Sequence, residues 1–311
     1  MVRIYPVTRR EDTLFSKGRL VLTNTKKEEQ KMKCKKTLAL VLAGTMLLPS
    51  GAFAADLSRF NDFPNDWSSN ALEKAVDHGL LNGSNGKIDG QGLLTRAQMA
   101  AIVSRAFGAT KSASLKDYRD MLPDAWYYND MGRAVQMKAF QGADGLLHPD
   151  DSITREEAFV VLARAFALTD GRSASLSGFS DNGAVSSWAS GSLSALVENG
   201  YVNGANGRLN PKNNITRAEF AKIITDMAAS YADSSSIANQ TVDGNLIVRA
   251  DGASLSGVTV NGDLIIADGA DKVSLDGVKV TGRIVIRGAS TEASLKNCSA
   301  GKSVLVSNPN G

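Results

Sequence analysis

The chain has 311 residues, enough for two modest domains. At 43% hydrophobic and 22% charged it has the balance of a globular protein. The formal charge of +3 originates in the first 54 residues; beyond them 28 acidic residues outnumber 24 basic ones, which excludes the basic footprint of a nucleic-acid binder.

Residues 32–54, MKCKKTLALVLAGTMLLPSGAFA, read as a secretory signal peptide. Lys33, Lys35 and Lys36 form a basic head, 38–48 an apolar run too short to span a bilayer, and Ala52-Phe53-Ala54 a small-x-small cleavage site. Residues 1–31 precede that signal. Lys27-Glu28-Glu29 can be encoded by a purine run of the kind that recruits a bacterial ribosome, so Met32 is the expected start and 1–31 an untranslated extension. After cleavage Cys298 is the one cysteine left, so neither an intramolecular disulfide nor a cysteine-based zinc site is expected.

Three repeats follow, at 55–111, 112–172 and 173–230. Trp67, Trp126 and Trp188 are each followed after 16 residues by a glycine and after 28 by a threonine. Asp62, Asp120 and Asp181 lie five to seven residues ahead of each tryptophan. Each unit reads as helix, turn, helix. Ala71, Leu72, Ala75 and Val76 share one face of the first helix, and Gly79 and Gly200 suit its C-terminal cap, where the second repeat has Lys138. Asn85-Gly86, Asp144-Gly145 and Asn206-Gly207 mark tight turns. The second helix carries one apolar stripe in every copy: Met99, Ile102, Val103 and Ala106; Ala158, Val161, Leu162 and Ala165; Phe220, Ile223, Ile224 and Met227.

That second helix opens with TRAQ, TREE and TRAE. Thr95 with Gln98, Thr154 with Glu157, and Thr216 with Glu219 have the form of capping boxes, each contributing on the order of 1 kcal/mol. Capping does not explain Arg96, Arg155 and Arg217. A cation in the first turn is disfavoured by roughly 0.3–1 kcal/mol. Two readings account for the arginines: ion pairs to Asp62, Asp120 and Asp181, or a site where helix tip and guanidinium bind an external carboxylate or phosphate. The tryptophans are either core or platforms for a sugar ring.

These motifs resemble the S-layer homology family, in three tandem modules over about 57–230. The resemblance rests on Phe/Tyr-x-Asp, the tryptophan, the glycine turn and the Thr-Arg-Ala-Glu helix start. It implies a mainly α, pseudo-threefold spindle that anchors an exported protein to the cell wall or S-layer of a bacterium. The implied partner is a secondary cell-wall polysaccharide, a peptidoglycan-associated glycan often bearing pyruvate ketals, with no nucleic acid and no membrane after signal cleavage. It further implies grooves between neighbouring modules that use Arg96, Arg155 and Arg217, with Asp62, Asp120, Asp181 and the three tryptophans as accompanying glycan-binding residues. Gln98 departs from the family glutamate. Glu156 replaces the family alanine and brings a negative charge beside Arg155.

Residues 231–240 read as a linker. From 241 to 311 the pattern changes. Ala253-Ser-Leu, Val273-Ser-Leu and Ala293-Ser-Leu recur every twenty residues, and a second strand, Gly-Asn-Leu-Ile-Val at 244, returns as Gly-Asp-Leu-Ile-Ile at 262 and Gly-Arg-Ile-Val-Ile at 282. This predicts a C-terminal β-solenoid of about three and a half coils, with Cys298 in a valine slot. A binding module is the leading expectation. The alternative is an anchored β-helical polysaccharide-acting enzyme, or an adhesin. Against an enzyme, His78 and His148 are the only histidines and no serine has an evident histidine partner. No cofactor and no metal site is expected; the acidic stretch at 144–151 lacks EF-hand spacing.

Overall fold

The computed structural model describes residues 20–23, 56–168, 171, 173–234, 236–288 and 292–307. The signal peptide and the Met32 start lie outside those residues. Six helices form the anchor: α1 (Ser69–Asp77), α2 (Arg96–Ala106), α3 (Tyr128–Gln136), α4 (Arg155–Ala165), α5 (Ser187–Glu198) and α6 (Arg217–Met227). The predicted stripes of α2, α4 and α6 are buried in one shared core. The second helix of each repeat packs against the first helix of the next: α2 on α3, α4 on α5, and α6 back on α1. The ring therefore closes.

The axis of that ring is a triangle of backbone hydrogen bonds. Leu94 N–H donates to Ile215, Ile215 to Ile153, and Ile153 to Leu94, at 2.9–3.1 Å. The Asn/Asp-Gly turns have positive φ at both central residues, as a type I′ turn requires. Gly79 and Gly200 are left-handed, and Lys138 adopts the same conformation (φ 57°) without the glycine.

The C-terminal region is a parallel β-solenoid of about four rungs with three faces. One face holds β3 (Ser236–Ala238), β6 (Ser254–Ser256), β9 (Val273–Asp276) and β12 (Ala293–Lys296), with β1 (Leu20–Thr23) paired to β12. The second holds β4 (Thr241–Asp243), β7 (Thr259–Asn261), β10 (Lys279–Val280) and β13 (Ser299–Ala300). The third holds β2 (Ser230–Ala232), β5 (Leu246–Val248), β8 (Leu264–Ile266), β11 (Ile284–Ile286) and β14 (Val304–Val306). Residues 231–240 are thus not a free linker: β2 and β3 build the first rung, because Ala232 and Ile237 supply its core. Cys298 is partly buried against the same core, and burial pushes its thiol pKa up.

The third face explains the solenoid's position. Strands β4, β6 and β7 alternate between buried and outward residues, whereas β5, β8 and β11 are buried at every position. A strand apolar on both sides needs cover on both sides. Leu246, Leu264 and Ile284 face the solenoid core, while Ile247, Ile265 and Val285 join the core of the helical ring.

Three arginines fasten the two parts. Helix C-termini leave unpaired carbonyls and a partial negative charge, which cations satisfy. Arg249 donates to the carbonyls of Arg105 and His78, at the ends of α2 and α1. Arg287 donates to those of Arg164 and Met137, at the ends of α4 and α3. Arg283 donates to Phe166 and Ala167 just beyond α4. Each has its own carboxylate: Asp233, Asp268 and Asp263 respectively. Gly269 completes the joint. Its N–H donates to Phe107, and a Cβ there would fall 1.9 Å from the Gly108 carbonyl oxygen.

Candidate functional site

The three capping boxes form as the spacing requires, with Thr95, Thr154 and Thr216 each accepting from the backbone N–H three residues on. The remaining helix-tip amides are also occupied. Arg96 and Ala97 donate to the carbonyls of Asp151 and Pro149; Arg155 and Glu156 to those of Asn213 and Pro211; Arg217 and Ala218 to those of Gly92 and Gly90. Each helix start is plugged by the next repeat's loop. The expectation that the helix tip itself supplies donors to an external anion is therefore corrected: the amides are spent holding the ring together, and only side chains remain.

The arginines reach across the same seams. Arg96 Nε donates to the Leu147 carbonyl at 2.8 Å and its Nη1 to Glu157 at 2.9 Å. Arg155 repeats this with Leu209 at 2.9 Å and Glu219 at 2.6 Å. Glu157 and Glu219 thus do two jobs: one oxygen closes the capping box and the other takes the preceding repeat's guanidinium. Arg217 completes only half of the pattern. Its Nε donates to the Ile88 carbonyl at 3.1 Å, but the box residue lining its groove is Gln98, and among the described residues Arg217 has no ion-pair partner.

The expected pairing of the arginines with Asp62, Asp120 and Asp181 is not what the structure holds. Each carboxylate instead accepts two consecutive backbone N–H groups: Ile88 and Asp89, Leu147 and His148, Leu209 and Asn210. The first residue of each pair is the one whose carbonyl, in the same peptide group as the second N–H, accepts from the arginine Nε. The aspartates aim the arginines indirectly, by clamping the peptide that the guanidinium reads. Burial alone would raise the pKa values of Asp62 and Asp181, but the backbone N–H donors outweigh it and hold both below the usual range. Burial pulls the pKa of the Arg96 and Arg217 guanidiniums down. Glu157, Asp151 and Asp120 oppose that at Arg96; Asp89 and Asp62 do so at Arg217.

The tryptophans are not core. Trp67, Trp126 and Trp188 are 59%, 62% and 56% exposed. Two of them wall open grooves at the seams. One groove, of about 520 Å³, brings Arg96, Glu157 and Arg164 together with His148, Asp151 and Trp188. The other, of about 470 Å³, brings Arg217, Gln98 and Arg105 together with Asn82, Ser84 and Trp126. Each draws on all three repeats: an arginine from one, a turn and helix face from the next, a tryptophan from the third. At the third seam, the positions of Arg105 and Arg164 are taken by Asp226, which pairs with Lys222. Arg105 and Arg164 line the grooves although the motif reading passed over them; their recurrence ten residues after the capping threonine was the available signal.

Glu156 does not compete for Arg155. It is buried, pairs with Lys212, and accepts from the N–H and hydroxyl of Ser186 at the start of α5. Its charge is consumed in capping a neighbouring helix. Among the described residues no three His, Cys, Asp or Glu side chains converge to hold a metal ion, and no helix is long and apolar enough to cross a membrane.

The S-layer homology domain matches residues 59–100, 117–159 and 178–221, one match per repeat. The chain is 32% identical over 195 residues to the surface-layer 125 kDa protein of Lysinibacillus sphaericus, covering 61% of this chain and 16% of that one. It is 29% identical over 170 residues to an amylopullulanase of Thermoanaerobacterium thermosulfurigenes, covering 53% and 9%. With the exoglucanase XynX of Acetivibrio thermocellus it shares 28% over 189 residues, covering 58% and 17%. The chain spans less than a fifth of the length of each of these relatives.

Proposed function

From a chain that carries three tandem S-layer homology domains, we propose that the protein is exported and held non-covalently on the bacterial cell wall, by binding an anionic secondary wall polysaccharide. The carrying observation is the seam groove, where guanidiniums line the same cleft as an exposed tryptophan. A sugar ring offers an apolar face for the indole, and a ring substituent bearing a carboxylate offers two oxygens to a guanidinium fork. A pyruvate ketal combines both on one residue. Several such grooves on one rigid ring add avidity along a polymer. In this reading the three repeats act by binding; the relatives named as glycosidases match over 53% and 58% of this chain.

The test is sedimentation with purified cell walls. The mature protein is expected to co-sediment. Walls whose carboxylates have been amidated with a carbodiimide and a neutral amine should lose it, whereas walls stripped only of phosphodiesters should not. Replacing Arg96, Arg155 and Arg217 together by alanine should abolish binding. Retention by that variant, or by amidated walls, refutes the proposal.

A further inference from the structure

We infer that the three seams are chemically unequal, and that Gln98 makes the Arg217–Arg105–Trp126 groove the principal anion site of this chain. The inference rests on the binding role just proposed and assigns it to one place.

At two seams the protein supplies the counter-ion itself. Glu157 neutralises Arg96 and Glu219 neutralises Arg155, both through direct contacts under 3 Å. A glycan carboxylate entering there must displace or sit beside a resident carboxylate. The Arg96 groove carries two guanidiniums against the two carboxylates of Glu157 and Asp151. At the Arg155 seam, Lys222 and Asp226 form a second internal pair.

The Arg217 seam differs in one atom at the decisive position. Gln98 Oε1 accepts from the Thr95 N–H, as the glutamates do at their own threonines. The other end of the amide is an NH₂ group, which donates and cannot accept from a guanidinium. Both terminal nitrogens of Arg217 are left without a protein acceptor among the described residues. The groove lining holds two guanidiniums and no carboxylate; Arg105 uses one nitrogen on the Leu80 carbonyl and has no ion pair among the described residues. The acids whose charge acts on Arg217 are Asp89 and Asp62, and the oxygens of Asp62 are engaged by two backbone amides. A half-buried arginine in such a cleft has unmet hydrogen-bond donors, and a carboxylate on a sugar stacked against Trp126 would meet them.

The discriminating variant is Gln98→Glu in the mature chain. It keeps the capping box and adds a negative charge to the first turn of α2, so the thermal midpoint should hold or rise. It also gives Arg217 the internal partner that Arg96 and Arg155 already have. Affinity for purified walls is expected to fall at least tenfold, about 1.4 kcal/mol, and its salt dependence to weaken. Glu157→Gln removes the resident partner of Arg96 and is expected to strengthen binding; weaker binding by that variant overturns the inference. If Gln98→Glu binds like wild type while the triple arginine variant does not bind, the asymmetry is wrong and the anchoring role stands. If the triple variant still binds, the anchoring mechanism fails as well.

Discussion

Replacing Arg287 by alanine tests whether the solenoid is built into the anchor or merely follows it. The Arg287 and Asp268 side chains are 2% and 1% exposed, with Nε 2.7 Å from a carboxylate oxygen. The same guanidinium closes the C-termini of α4 and α3 through the carbonyls of Arg164 and Met137. Removing one member of a buried pair leaves the other charge in a low-dielectric site, at a cost of about 3–5 kcal/mol. For a domain of 150–250 residues each kcal/mol lowers the midpoint by roughly 2–4 °C, so the fall should be about 6–20 °C. The assay is thermal and urea denaturation followed by far-ultraviolet circular dichroism and tryptophan fluorescence. All three tryptophans lie in the helical ring, so fluorescence reports the ring while circular dichroism reports both parts. In the wild type the two probes should coincide; in the variant the ring should melt first. The double variant Arg287→Met with Asp268→Leu removes both charges and should cost clearly less than the single change. A single-variant cost below about 1 kcal/mol, or a double variant as damaged as the single, refutes the reasoning.

Trp126→Ala should leave the denaturation midpoint within about 0.5 kcal/mol of wild type, the usual range for an exposed position, yet weaken wall binding; a large stability loss would show that the indole is structural. Gly269→Ala forces a Cβ against the Gly108 backbone and should destabilise by about 1–3 kcal/mol through overpacking, read by urea denaturation, with an unchanged midpoint showing that the joint can open freely. His78 predicts a pH dependence. Burial against Tyr231 (ring centroids 4.7 Å apart) and then the charge of Arg249 lower its pKa, with Asp233 and Asp77 opposing. Below a pH of about 6.5 the unfolded chain takes up a proton that the folded chain resists, so stability should decline as pH falls towards the depressed folded value and level off beneath it. The carboxylates of Asp62 and Asp181 are depressed instead by hydrogen bonds, so their contribution is lost only below a pH of about 4. His78→Gln should remove the upper segment alone; a urea midpoint flat between pH 7 and 5 in the wild type would count against the assignment.

Much of this architecture is local, and local structure is written in spacing. A threonine three residues before a glutamate or glutamine makes a capping box wherever it occurs, because both partners lie within one turn. Asn-Gly and Asp-Gly settle their turns because few residues tolerate two consecutive positive φ values. The apolar stripes of α2, α4 and α6 and the twenty-residue period of the solenoid needed nothing beyond side-chain periodicity. Partners across the seams were not legible in the same way. Nothing within one repeat says that Arg96 meets the glutamate of the following repeat, that Asp120 holds the peptide read by that arginine, or that Glu156 caps α5. These contacts depend on how the ring closes, and closure is a property of all three repeats together.

The solenoid's place was half visible. Leu246–Val248, Leu264–Ile266 and Ile284–Ile286 lack the alternation of their neighbours, which already demands cover on both faces. Which surface provides that cover is a question of shape and of helix ends. Only the folded ring brings four helix C-termini within reach of Arg249, Arg283 and Arg287. The repeats, their caps, their turns and the coil are legible in the order of residues alone. Where each charge is spent depends on the closed ring, because a charge's partner is chosen by proximity in space, and across a seam the nearest carboxylate belongs to another repeat.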